Sequence, residues 1–330
     1  MSPARQLLVL YTGGTIGMQI TETGLAPASG FEARLRAEQA SHPQRPAPDW
    51  IFQELSPLLD SANMTPANWL QMRDAIVKGV EQRNCDAVLL LHGTDTLAYS
   101  AAALSFLLLG LHIPVVLTGS MQPAGVEGGD AWPNLFGALA QLHAGVEPGV
   151  HLYFNGQMLL GARASKQRSD APDAFSASRR PLCGKRTSSI PVVLDYRNPR
   201  RSVELAVQPL FPGLGAAQLR AVLESGIQGL LLECYGSGTG PSDNADLLAA
   251  LKDAHDRGIV LAAISQCPEG GVEFGIYAAG SLLASVGLIS CAGMTREAAL
   301  GKLFSLLGVG LRQSEVEHWL TQDFCGELAG

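Results

Sequence analysis

Residues 7–17 read LLVLYTGGTIG, a short apolar run followed directly by a turn that contains three glycines. The run Leu7–Tyr11 does not alternate between polar and apolar residues, which is typical of a strand that is buried on both faces of a sheet. The glycines of Thr12–Gly17 give the backbone the freedom that a tight loop needs. This stretch therefore predicts a buried strand that ends in a glycine-rich loop.

The same order of strand, polar loop and helix recurs downstream. AVLLLHGTDT at residues 87–96 and PVVLTGS at residues 114–120 each precede a predicted helix, and Val150–Phe154 is a further predicted strand. Strands that alternate with helices imply a parallel sheet. Ligands of such sheets bind beyond the carboxyl ends of the strands, so the loops TGGTIG, HGTDT and TGS are expected to converge on one crevice.

Other local patterns are more varied. Met18–Pro27 is predicted to be a hairpin or a mobile loop, and Thr65 is predicted to cap a helix that begins at Pro66. In the second half, strands are expected at Gly229–Cys234 and Ile259–Ile264. The final helix is expected to be capped by Ser314 together with Glu317.

The length of 330 residues exceeds what one core usually holds, so two domains are expected. The predicted fold class is α/β, with a larger N-terminal parallel-sheet domain at residues 1–188 and a smaller C-terminal α/β domain at residues 211–330. Residues 189–210 are the predicted linker. They overlap the end of a basic stretch, residues 163–201, which is interpreted as a solvated linker or a subunit contact.

The composition argues against several classes of protein function. A formal net charge of −7 argues against nucleic-acid binding, and the longest apolar stretches are too short and too polar to span a membrane. The six cysteines are scattered without a C-x-x-C pair, which favours reduced thiols and no zinc site. The N-terminus lacks the pattern of a secretion signal. A cytoplasmic protein without metal is therefore expected.

Several residues could carry chemistry, and each has a structural alternative. Thr15 could present its hydroxyl to a small substrate or bond the local backbone. Asp95 could pair with a substrate ammonium group or serve as a helix N-cap. Lys166 is interpreted as a solvated side chain unless it lies buried beside Thr94 and Asp95. His92 is expected to be buried structure.

Sequence motifs add a resemblance that spans nearly the whole chain. The segments that carry it are TGGTIGM (12–18), LDSANMTP (59–66), LLHGTDTLAYSAAALSFLL (90–108), LTGS (117–120), GARASK (161–166), YGSGTGP (235–241) and YAAG (277–280). With them, the chain resembles bacterial-type L-asparaginases, and the DSANMTP and YTGGTIGM segments are most similar to the cytoplasmic type I branch.

The resemblance implies hydrolysis of L-asparagine to L-aspartate and ammonia without a cofactor. It implies that Thr15 is the nucleophile and that Thr94, Asp95 and Lys166 form a hydroxyl–carboxylate–amine group that activates the attack. Residues expected to bind substrate are Gly14, Asp60, Ser61, Thr94, Asp95 and Ser120. A glycine-rich floor would supply backbone N–H groups for an oxyanion. An acyl-enzyme and direct attack by water both remain open at this point.

This chain also departs from the family pattern. A tyrosine of the mobile loop that activates the nucleophile in many members corresponds to Leu25 here. We hypothesise that Tyr277, which matches a tyrosine used by some type I members, supports Thr15 instead. An effector-binding arginine of some type I enzymes is replaced by Glu233, which argues against the same allosteric site. Cys267, in a predicted turn, is expected to be packed.

Three other functions are alternatives to a homodimeric or homotetrameric asparaginase. The amidase subunit of a tRNA-dependent amidotransferase carries an extra N-terminal domain, for which TGGTIG at Thr12 leaves no room. A non-catalytic amino-acid sensor would not need Thr15, Thr94, Asp95 and Lys166 together. A nucleotide-binding protein would need a phosphate-binding fingerprint, and none is present.

Overall fold

A computed structural model describes residues 4–22, 24–26, 28–178, 186–187 and 189–328. The chain forms two compact units, Met1–Ala177 and Ser178–Gly330. The domain boundary that the sequence predicts at residue 188 lies outside the described residues.

The first unit contains a large sheet, two hairpins and the helices that cover them. Its strands are β1 (Gln6–Gly13), β2 (Gln19–Thr21), β3 (Gly24–Ala26), β4 (Asp49–Leu59), β5 (Ala87–Leu91), β6 (Pro114–Thr118), β7 (Gly149–Phe154), β8 (Gln157–Leu160), β9 (Ala164–Lys166) and β10 (Phe175–Ala177). Its helices are α1 (Phe31–Ser41), α2 (Pro66–Arg83), α3 (Leu97–Leu107) and α4 (Ala131–Ala144).

The large sheet has the strand order β4-β1-β5-β6-β7-β8. All neighbours are parallel except β7 and β8, which form an antiparallel edge. The chain leaves β1 towards β4 on one side and leaves β5 towards β6 on the other. A crevice therefore opens between the carboxyl ends of β1 and β5, where the strand order reverses.

The apolar runs predicted as strands are confirmed as β1, β5, β6 and β7, and every residue of β5 is buried. Helix α3 is also apolar on nearly all sides, since ten of its eleven residues are buried. The predicted helix after Thr65 is confirmed with Thr65 at its N-cap, and residues 18–27 contain the antiparallel hairpin of β2 and β3. These elements hold the three polar loops at one edge of the sheet.

Edge strand β4 was not predicted from the sequence. Its residues are mostly exposed or half-buried, and it includes Pro57, so it lacks the continuous apolar run of the central strands. Helix α1 was not predicted either, because its sequence FEARLRAEQAS buries little more than Phe31 and Leu35.

The second unit is built on a four-stranded parallel sheet of order β11-β12-β13-β14. Its strands are β11 (Leu205–Pro209), β12 (Gly229–Cys234), β13 (Val260–Ser265) and β14 (Leu288–Ser290). Its helices are α5 (Ala216–Leu223), α6 (Ala245–Asp256), α7 (Ala278–Ser285), α8 (Arg296–Gly308) and α9 (Gln313–Leu320).

The two strands predicted in this half are confirmed as β12 and β13. The predicted cap of the last helix is wrong: α9 begins at Gln313, and Glu315 accepts a hydrogen bond from the backbone N–H of Arg312 at 3.0 Å. A cap formed by Arg312 lacks the Ser or Thr signal from which caps are predicted. Within the described residues, no helix is both long and apolar enough to cross a membrane.

Candidate active site

The polar loops that follow β1, β5 and β6 touch one another through their backbones. A Cβ atom on Gly14 would lie 2.3 Å from the amide nitrogen of Gly93, and one on Gly119 would lie 2.2 Å from the carbonyl oxygen of His92. Gly14 also has a positive φ of 83°, which L-residues with side chains rarely adopt. The convergence expected from the sequence is therefore present, and glycine is what permits it.

The segment after β4 joins the same group of loops. Ser61 is buried, and a Cβ on Gly93 would lie 2.5 Å from its hydroxyl oxygen. Thr96 donates a hydrogen bond to the carbonyl oxygen of Ser61 at 2.8 Å. Asp60 begins the short 3-10 turn that carries Ser61, and its carboxylate accepts from the N–H of Ala62 at 3.3 Å. Asp60 and Ser61 are thus held next to the loop after β5.

Lys166 reaches the same loop from β9. Its ammonium group donates to Thr94 Oγ1 at 3.1 Å and to Asp95 Oδ1 at 2.8 Å. The Lys166 side chain is 20% exposed, whereas the Asp95 side chain is 61% exposed and Thr94 is buried. Lys166 therefore lies beside Thr94 and Asp95, as the resemblance implies, and the alternative of a solvated side chain is excluded. Asp95 is not an N-cap either, because α3 begins at Leu97 with Thr96 in that position.

A buried asparagine that was not predicted from the sequence joins two segments of the site. One segment carries Ser120, and the other leads through β8 to Lys166. Asn134 of α4 donates to the carbonyl oxygen of Gly119 at 3.0 Å and accepts from the N–H of Asn155 at 2.9 Å. Asn155 forms the turn between β7 and β8, and the chain then continues to β9. A polar residue on the apolar face of α4 was the signal that could have revealed this link.

Thr15 lies in a short 3-10 turn, Thr15–Gly17, that follows β1. Thr15 itself is partly exposed. The N–H of Ala124, in the loop after β6, donates to the carbonyl oxygen of Ile16 at 3.0 Å and so holds the turn in place. Leu25, in the hairpin that follows, is 49% exposed. Ser120 is fully buried, and its hydroxyl donates to the carbonyl oxygen of Gln122.

His92 is buried structure, as expected. Its Nδ1 lies 2.7 Å from the carbonyl oxygen of Gly93, which can only accept, so this nitrogen carries the proton. The other ring nitrogen then accepts from the hydroxyl of Ser100 at 2.8 Å, and Trp69 Nε1 donates to the same hydroxyl at 3.2 Å. Burial lowers the pKa of His92 to about 4, so the ring is neutral near pH 7.

Three residues of the second unit were singled out from the sequence. Tyr277 is the N-cap residue of α7 and is 59% exposed. The buried carboxylate of Glu233, at the end of β12, forms a two-pronged ion pair with Arg296. Cys267 is exposed, so the prediction that its thiol is packed is wrong. It lies past the end of β13, where the chain has left the sheet.

The chemistry available at the crevice comes from hydroxyl, carboxylate and amine groups. In the described part of the chain, no group of three or more His, Cys, Asp or Glu side chains could hold a metal ion. An ammonium group that contacts both a hydroxyl and a carboxylate can transfer protons and stabilise developing charge. These features are typical of an α/β enzyme with a polar crevice at the carboxyl ends of its parallel strands.

Comparison with known proteins gives the family. The model described as "Asparaginase, N-terminal" matches residues 6–198, and that described as "Glutaminase/Asparaginase C-terminal domain" matches residues 204–320. The chain therefore belongs to the asparaginase family of enzymes.

Individual relatives agree with this assignment. The chain is 36% identical to L-asparaginase 1 of Escherichia coli, with 98% of each chain covered. The structure of L-asparaginase I from Vibrio cholerae matches with a TM-score of 0.85 and 34% identity, covering 99% of both chains. The human 60 kDa lysophospholipase is 34% identical over 99% of this chain, which covers 62% of that protein.

Proposed function

We propose that this chain hydrolyses L-asparagine to L-aspartate and ammonia, with Thr15 as the nucleophile. The observation that carries the proposal is the contact of Lys166 with both Thr94 and Asp95, beside the glycine loop that bears Thr15. Membership of the asparaginase family and the names of the relatives support the same substrate.

Substrate recognition follows from the charges at the crevice. Asp95, whose carboxylate is largely exposed, binds the α-ammonium group of the substrate. The Ser61 hydroxyl binds in the region of the α-carboxylate, and Asp60 fixes the turn that presents it. Gly14 and Ser120 line the remaining wall, where backbone N–H groups stabilise the oxyanion that forms when the amide is attacked.

Thr94 and Lys166 then supply proton transfer. The Lys166 ammonium donates to Thr94 Oγ1, which leaves the hydroxyl proton of Thr94 free to point at the reacting groups. As Thr94 gives up or receives a proton, the neighbouring ammonium stabilises the negative charge on its oxygen. Asp95 balances the charge of Lys166 and holds it in place.

The direct test is ammonia release by the wild-type chain from L-asparagine, with L-glutamine and lysophosphatidylcholine tested in parallel. We expect ammonia and L-aspartate in equal amounts from L-asparagine. Binding of L-asparagine without release of ammonia would identify a sensor built on this fold. Hydrolysis of the lysophospholipid alone would replace the proposed substrate with an ester.

We propose that Tyr277 assists the hydroxyl of Thr15, because Leu25 stands where many relatives place the activating tyrosine. Tyr277→Phe is expected to lower kcat about 10²-fold, which is typical of losing a proton-transfer partner. Its side chain is largely exposed, so the thermal unfolding midpoint should stay unchanged. Steady-state kinetics and a melting curve provide the measurement, and an unchanged kcat would refute the role.

Location and assembly complete the proposal. A cytoplasmic location is supported by the free thiols of Cys85, Cys234, Cys291 and Cys325. A homodimer or homotetramer is proposed from the resemblance to type I asparaginases. The mass in solution, compared with 34.7 kDa for one chain, tests the assembly.

A further inference from the structure

A buried tyrosine that the proposed chemistry does not use lies directly beneath the Thr15–Gly17 turn. Tyr11, in β1, is fully buried, and a Cβ atom on Gly17 would lie 1.8 Å from its hydroxyl oxygen. Gly17 does not have a positive φ, so backbone conformation is not what requires glycine there. The tyrosine hydroxyl occupies the space that a side chain at position 17 would need.

The same hydroxyl also contacts the segment that follows the β2–β3 hairpin in the chain. It donates a hydrogen bond to the carbonyl oxygen of Ala28 at 3.3 Å. Burial first, and then the carboxylate of Glu54, raise the pKa of Tyr11 to about 12, so the hydroxyl keeps the proton that it donates. Tyr11 therefore contacts the segment before the hairpin at Gly17 and the segment after it at Ala28.

Helix α1 fixes these contacts from outside. The ring of Phe31 stacks on Tyr11 with centroids 5.2 Å apart. Arg34 donates to the carbonyl oxygen of Ala124, whose own N–H donates to Ile16. The turn that bears Thr15 is thus held at Ile16 through Ala124 and at Gly17 through Tyr11.

We infer that Tyr11 is a positioning residue for the reaction: its hydroxyl sets the position of the Thr15–Gly17 turn relative to the sheet. This inference rests on the proposed role of Thr15. Of the residues proposed to bind substrate, Asp60, Ser61 and Asp95 lie on other loops, so loosening the turn displaces the nucleophile and leaves these three residues in place. A displacement of about 1 Å at a reacting group costs up to about 10²-fold in rate.

The chain offers a matched control. Tyr153, in β7, is also buried, and its hydroxyl oxygen would lie 2.2 Å from a Cβ on Gly137 of α4. Tyr11→Phe and Tyr153→Phe therefore each delete one buried hydroxyl that packs against a glycine. Only the first is at the Thr15 turn, so a merely structural effect should be similar in both variants.

The experiment compares kcat and KM for L-asparagine, the unfolding midpoint and backbone hydrogen exchange in the two variants. We expect Tyr11→Phe to lower kcat about 10-fold or more with KM within about threefold, and to speed exchange in residues 14–30. Tyr153→Phe should keep kcat within about twofold of wild type. Equal kcat values in the two variants, or a change in KM alone, would overturn the inference.

A second pair of variants tests the steric contact. Gly17→Ala should lower kcat because its methyl group collides with the Tyr11 hydroxyl. In a Tyr11→Leu background, which lacks the atoms nearest to that methyl group, Gly17→Ala should lower kcat by a smaller factor than it does in the wild type. Equal factors in the two backgrounds contradict the inference. If the wild type releases no ammonia, the proposed function fails, while the exchange rates of residues 14–30 still decide whether Tyr11 holds the turn.

Discussion

Thr15→Val is expected to reduce kcat for L-asparagine by about 10³-fold or more, which is the scale of losing a nucleophile. Valine has nearly the same shape as threonine but has no hydroxyl that could attack the amide. Thr15 is partly exposed, so the free energy of unfolding should change by no more than about 0.5 kcal/mol. Ammonia release and a melting curve measure the two effects separately.

Binding separates a lost nucleophile from a damaged site. Because Asp60, Ser61 and Asp95, which are proposed to bind the charged groups of the substrate, lie on other loops, Thr15→Val should still be stabilised thermally by L-asparagine. Thr321→Val makes the same change at the end of α9, where the hydroxyl donates only to the carbonyl oxygen of His318 among the contacts described. It should behave like wild type. An active Thr15→Val enzyme would assign the attack to another hydroxyl or to water.

Lys166→Met is expected to give the second largest loss, with kcat lowered between about 10² and 10⁴-fold. Methionine keeps most of the apolar stem but removes the ammonium that contacts Thr94 and Asp95. The Asp95 carboxylate stays largely in solvent, so stability should fall by about 1 kcal/mol or less. Steady-state kinetics with L-asparagine, together with chemical unfolding, provide the measurement.

Lys252→Met serves as the matched control. Lys252 contacts Asp256 at 2.9 Å on the exposed face of α6, an ion pair with similar geometry and no proposed role. Its loss should leave kcat unchanged. Thr94→Val should lower kcat about as much as Lys166→Met, and the double variant should lose little more, because the two residues act as a unit. Additive losses would contradict a shared proton-transfer role.

The central strands and loops could be predicted because their signals are local. The run Ala87–Leu91 is apolar throughout and matches β5 residue for residue, and the following HGTDT loop lies at the carboxyl end of that strand. Thr65 and Pro66 give a helix start that the structure confirms. Edge strand β4 and helix α1 were missed because neither buries a full face, so their sequences carry no clear periodic pattern.

Predictions about individual side chains were less accurate when the side chain depends on a distant partner. Lys166 belongs to a basic stretch, and only the family motif GARASK, not the charges around it, indicates that it lies against Thr94, 72 residues away. Cys267 follows a buried strand, yet it is exposed. Asn134 was not singled out because its partners, Gly119 and Asn155, are backbone groups on two other loops.

The sequence by itself determined the order of the buried central strands, the glycine-rich loops that end them, and the family to which the chain belongs. These features follow from local backbone preferences and from motifs that can be read in order along the chain. Tertiary structure alone decided that β1 lies between β4 and β5, that Asn134 joins Gly119 and Asn155, and that the Tyr11 hydroxyl occupies the space next to Gly17. The physical reason is that contact and burial depend on residues far apart in sequence, which no local pattern encodes.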